Sequence, residues 1–152
     1  MKPTVLFLCT GNSCRSQMAE GWLRHLAGTR FEVLSAGTNP AGVNPQAIEV
    51  MKEVGIDISR QRSKHVAEFQ ERPFHYVITV CNHAHASCPM EARRGVTLHW
   101  SFDDPAHVQG SVPERMQVFR RVRDEIGEQI QEWLRAADHS SESGSTSLPK
   151  GE

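Results

Sequence analysis

The part of the chain that most restricts its fold lies near the start, where the apolar run Val5–Cys9 breaks off at the polar turn Thr10-Gly11-Asn12-Ser13. Thr4–Cys9 suits a strand buried on both faces, the kind found inside parallel sheets. Beyond the turn, Ala19, Trp22, Leu23 and Leu26 recur at spacings of 3, 1 and 3 and share one face of a helix from about Ser16 to Ala27. A fully buried strand that runs straight into an amphipathic helix is the first half of a βαβ unit.

The rest of the chain repeats that alternation. Phe31–Ser35, closed by Gly37, reads as a second strand. Asn44 and Pro45 read as N-cap and first helical residue, and Gly55 as the stop. Between them Ala47, Val50, Met51 and Val54 fall on one face. Ser63 is expected to cap a short helix ending at Phe69. Tyr76–Cys81 and Thr97–Trp100 are further strands, and Asp103-Asp104-Pro105 is a turn. Pro113 opens the longest helix, whose buried side carries Phe119, Val122, Ile126, Ile130 and Leu134. From Asp138 onward, five serines, two glycines and a proline occur without periodicity, which predicts a disordered tail over 138–152. The expected architecture is a single domain over 1–137, a three-layer α/β/α sandwich on a four-stranded parallel sheet. Its site is expected beyond the carboxyl ends of the strands.

Composition removes several classes of function. A chain of 152 residues with formal net charge −1 lacks the basic excess of a nucleic-acid binder, so no nucleic-acid partner is expected. Its longest apolar run is far shorter than the ~20 residues of a membrane span, and the opening residues lack a signal-peptide layout. A cytoplasmic protein with no membrane partner is therefore expected, and its four cysteines would stand in a reducing compartment. There, thiols serve catalysis, redox chemistry or metal binding more often than cross-linking.

The loop Cys9-Thr10-Gly11-Asn12-Ser13-Cys14-Arg15-Ser16 lies where strand meets helix. Backbone N–H groups of Thr10, Gly11, Asn12, Ser13 and Cys14 can converge there on one anion at the helix N-terminus. Arg15 adds a planar bidentate donor suited to a tetrahedral oxyanion. A thiol beside such a site is stabilised as thiolate, and the Ser16 hydroxyl can donate to the Cys9 sulfur. Cys14 is expected to be a small packing residue. The Gly-Lys-Ser/Thr ending of a nucleotide-binding loop is missing.

Taken with its surroundings, this loop resembles a family. Cys9–Glu20, Ser35-Ala36-Gly37, Gly42-Val43-Asn44-Pro45, Cys81–Pro89, Phe102-Asp103-Asp104-Pro105 and Arg121–Ile126 together resemble the thioredoxin-coupled arsenate reductases built on the low-molecular-weight tyrosine phosphatase fold, over about residues 3–135. The resemblance implies reduction of arsenate(V) to arsenite(III). Cys9 is the nucleophile, Cys81 then Cys88 resolve, and thioredoxin reduces the final disulfide. It further implies that Asp104 is the general acid. Some relatives are expected to hold a potassium ion beside the loop through residues matching Asn12, Glu20 and Ser35 and an aspartate. In this chain Lys64 stands where that aspartate would be, which suggests that its amine reaches the Glu20 and Asn12 oxygens in the ion's place.

Two other readings stay open. One is a low-molecular-weight phosphatase whose extra cysteines protect it from oxidation. The other is a zinc- or arsenite-binding protein without turnover, since Cys81, His83, His85 and Cys88 are potential zinc ligands. Their spacing fits no structural zinc pattern, and neither a metal nor a cofactor is expected. Ala106 and His107 follow Asp104-Pro105 where phosphatases of the fold carry aromatic walls, which favours a small oxyanion over a phosphotyrosine peptide. Arg120, Arg121 and Arg123 read as a solvated helix face.

Overall fold

The computed structural model describes residues 2–69, 72–80 and 96–143, with the backbone alone for 139–143. Four strands, β1 (Thr4–Cys9), β2 (Glu32–Gly37), β3 (Tyr76–Thr79) and β4 (Val96–His99), form one sheet in the order β2-β1-β3-β4. Every pairing is parallel. The helices are α1 (Arg15–Ala27), α2 (Pro45–Glu53) and α3 (Val112–Ser143). All six residues of β1 are buried. Both faces of the sheet are therefore covered, as the expected α/β/α sandwich requires.

Local signals act where they were expected. The Asn44 side chain accepts the Gln46 N–H at 2.7 Å and caps α2, with Pro45 in the first turn. Gly55 adopts φ +81, a left-handed conformation open to glycine, just after α2 ends. Along α3, Phe119, Val122, Ile126 and Ile130 are fully buried, each contributing roughly 1.5–3 kcal/mol of burial.

Several expectations are corrected. Leu26, in the last turn of α1, and Val54, just past the end of α2, are exposed rather than on the buried faces. Ser63 caps nothing: its segment forms only a 3-10 turn, Val66–Phe69, and its hydroxyl donates instead to the Gly11 and Asn12 carbonyls. The arginine cluster on α3 is a solvated face only in part, with Arg121 exposed, Arg120 half-buried and Arg123 buried. Arg123 is buried and donates to Val50 O and Glu53, Arg120 grips Glu53, and Arg121 pairs with Asp103 and Glu125. Finally, α3 continues through Asp138 to Ser143, and Asp138 pairs with Arg30 at 2.8 Å, so helix persists into the segment expected to be disordered. Among the described residues, no helix is long and apolar enough to cross a membrane.

Candidate functional site

Cys9 ends β1 beside Gly37 of β2, and α1 begins six residues later. The carbonyls of the intervening loop are held by neighbouring donors. Asn39 N–H donates to Thr10 O, Ala41 N–H to Gly11 O, Gln17 Nε2 and the Ser63 hydroxyl to Asn12 O, and Asn44 N–H to Ser13 O. With these carbonyls taken up, Gly11, Ser13 and Cys14 line a cavity of about 540 Å³. The same cavity is lined by Cys9, Thr10, Arg15, Asp104 and His107.

Asn12 is the centre of the buried wiring. It is fully buried at φ +45, a left-handed conformation that asparagine tolerates better than most side chains. Its Oδ1 accepts the Lys64 amide N–H at 2.8 Å, and its Nδ2 donates to Ser16 Oγ at 2.8 Å and to Ser35 Oγ at 2.9 Å. Both serine hydroxyls thus receive a hydrogen and have their own to give. Ser35 gives its hydrogen to Glu20 Oε1 at 2.5 Å, and Ser16 Oγ lies 2.9 Å from the Cys9 sulfur, with a hydrogen to give when that sulfur is a thiolate. A hydrogen bond donated to sulfur favours the thiolate.

The Glu20 carboxylate is balanced on both oxygens, by Arg24 on Oε2 and by Lys64 Nζ 3.9 Å from Oε1. The Lys64 ammonium reaches Glu20 but not Asn12, because it bonds to the Arg62 carbonyl at 2.7 Å. Burial pushes its pKa down, with Glu20 opposing the shift. Cys14 is buried, and burial, aided by the charge of Asp104, pushes its thiol up to about 12. It is a neutral thiol that packs the loop.

Across the cavity, Arg15 NH1 donates to Phe102 O at 3.0 Å and NH2 contacts Asp104 Oδ2 at 3.2 Å. Its Nε is buried with no protein partner among the described residues, a donor left for an anion. Asp104 Oδ1 accepts the Ala106 N–H at 3.0 Å and caps the 3-10 turn Pro105–His107. Cys9, Arg15, Ser16 and Asp104 are therefore assembled at one place, at the carboxyl edge of the sheet. Cys81 and Cys88, with His83 and His85, lie outside the described residues. Among the described residues no cluster of three or more metal-ligating side chains occurs.

Gln17 and Arg24 escaped the sequence reading. Fully buried Gln17 ties Asn12 O to Arg62 O at 3.0 Å each. The signal was present: Gln17, Glu20 and Arg24, spaced 3 and 4, form a polar stripe beside the apolar face of α1.

Known proteins share this fold. Residues 4–143 match the family model described as low molecular weight phosphotyrosine protein phosphatase. An arsenate reductase of Halalkalibacterium halodurans is 50% identical over 129 residues, covering 85% of this chain and 93% of the relative. A solved arsenate reductase in the phosphate binding state superposes with TM-score 0.74 at 35% identity, over 89% of this chain and 98% of that one. A thioredoxin-dependent arsenate reductase of Corynebacterium glutamicum reaches TM-score 0.60 at 32% identity, over 86% of this chain and 62% of that one.

Proposed function

The chain belongs to the low molecular weight phosphotyrosine protein phosphatase family, and from that premise we propose that it is an arsenate reductase that draws its electrons from thioredoxin. The observation that carries this reading is the Cys9 sulfur held 2.9 Å from Ser16 Oγ on a cavity that it shares with Arg15, whose buried Nε has no protein partner among the described residues, and with Asp104. Arsenate binds there as a tetrahedral anion. Cys9 attacks arsenic, an S–As bond forms, and one oxygen leaves as water with a proton from Asp104.

Cys81 then attacks the Cys9 sulfur. The S–As electron pair passes to arsenic, arsenite(III) departs, and a Cys9–Cys81 disulfide remains. Cys88 attacks Cys81, frees Cys9, and leaves a Cys81–Cys88 disulfide for thioredoxin to reduce. The names of the relatives support the substrate, and the Corynebacterium glutamicum neighbour supports the reductant. A slow phosphatase activity on small aryl phosphates is expected as well, since the loop and the acid serve both reactions.

NADPH consumption coupled through thioredoxin and thioredoxin reductase, with and without arsenate, tests the proposal. Wild-type protein should cycle, Cys9→Ser should be inactive, and Cys88→Ser should stop after one turnover with a Cys9–Cys81 disulfide found by peptide mapping. Phosphate release without arsenate-dependent NADPH loss would make the protein a phosphatase. Binding of zinc or arsenite without turnover of either kind would make it a binding protein.

A further inference from the structure

Gln17, the third residue of α1, is fully buried, and every hydrogen-bonding group of its side chain is paired. Nε2 gives one hydrogen to Asn12 O and the other to Arg62 O, both at 3.0 Å, and Oε1 accepts Gln61 Nε2 at 2.7 Å. Gln61 is held in turn by Arg24, whose NH1 donates to Gln61 Oε1 at 3.0 Å. A buried amide is costly unless its groups are paired, and partners on three sides leave it one orientation.

Asn12 O belongs to a rigid peptide plane whose other end is the Ser13 N–H. Ser13 lines the cavity together with Cys9 and Arg15. The residue before that peptide stands at φ +45, a conformation that costs free energy in a non-glycine residue and persists where its surroundings over-determine it. The bonds from the Asn12 side chain to the Lys64 amide, Ser16 and Ser35 fix where Asn12 stands. They leave the rotation of the next peptide to the two donors on its carbonyl, Gln17 Nε2 and the Ser63 hydroxyl at 2.9 Å.

We propose that Gln17 is a positioning residue for the oxyanion site: with Ser63 it sets the rotation of the Asn12–Ser13 peptide and aims the Ser13 N–H at the bound anion. The inference rests on the arsenate reductase reading. Gln17 touches no reacting atom and acts through that peptide alone. An N–H so aimed meets the oxyanion in the bound state and in the transition state alike, so its loss is felt in binding rather than in turnover.

Gln17→Met keeps the length of the side chain and removes both donors. Neither carbonyl is then orphaned, since Ser63 still serves Asn12 O and Lys64 Nζ serves Arg62 O at 2.7 Å, so the fold should survive. Phosphate, a tetrahedral anion that is not reduced, is titrated calorimetrically into reduced wild type, Gln17→Met, Ser63→Ala and the double variant. KM and kcat for arsenate are measured on the same samples with thioredoxin in excess.

Each single variant should bind phosphate about fivefold more weakly and raise KM by a similar factor, with kcat within about twofold. Because the two donors share one carbonyl, the double variant should lose about a hundredfold or more, beyond the product of the singles. Unchanged phosphate affinity and KM in a Gln17→Met protein of lowered Tm would make the residue purely structural and overturn the proposal. A double-variant loss no larger than the product would overturn it too. Should the double variant not fold, the split between KM and kcat in Gln17→Met decides alone. Phosphate binding without arsenate turnover in wild type would overturn the reductase reading, and the phosphate affinities would then decide the role of Gln17 by themselves.

Discussion

Lys64 holds Asn12 through its main chain: its amide N–H donates to Asn12 Oδ1 at 2.8 Å, while its Nζ bonds to the Arg62 carbonyl and lies 3.9 Å from Glu20. The side chain is therefore separable from the hold on the anion loop. It supplies charge to Glu20, which Arg24 also pairs.

A Glu20 already flanked by two cations needs no metal cation. Initial rates should be equal within error in sodium and potassium buffers of matched ionic strength. Lys64→Asp removes one cation and adds an oxygen ligand, and should bring a potassium response of about threefold or more, since an unpaired buried carboxylate is costly. Activation of the wild type by potassium would refute the idea that Lys64 replaces the ion.

Gly37 leaves no space for a side chain beside the loop. A Cβ there would stand 2.5 Å from Thr10 O and 2.9 Å from both Asn12 N and Cys9 O, all main-chain atoms. Gly37→Ala must shift the anion loop, and should destabilise the fold by about 2 kcal/mol and cut kcat/KM for arsenate by about a hundredfold. Urea melts and steady-state rates measure the two effects, and an unchanged kcat/KM would show that the loop's position is not critical.

Cys14 is a neutral, buried thiol at physiological pH, its pKa pushed up to about 12 by burial. Iodoacetamide at pH 7.5 should leave it unlabelled in the folded protein. Cys14→Ala should keep at least half the activity and cost about 1 kcal/mol, the loss of a small buried group. Inactivation in a folded Cys14→Ala sample would give this thiol a chemical role.

Ending the chain after Asp138 keeps the Arg30–Asp138 pair, which is about half exposed at both ends and worth little on its own. The residues removed contain a single large apolar side chain, Leu148. Tm should move by less than about 3 °C and activity should be unchanged. A drop beyond that would mean that the segment docks on the domain.

Strand β1, the cap at Asn44, the stop at Gly55 and the buried side of α3 were legible in the residues themselves. Each depends on partners within a turn or two, or on a period that repeats along the chain. The Cys9–Ser16 loop was legible for the same reason, since strand, turn and helix start are contiguous. Other features depended on groups far apart in sequence. Ser63 meets carbonyls 51 and 52 residues away, Arg15 meets Asp104, Arg123 reaches back to Val50, and the Lys64 amide rather than its amine finds Asn12. No local preference encodes which of several donors will face a given acceptor once helices and sheet have packed. That choice follows from the sheet order and the burial of polar groups that must find partners inside it.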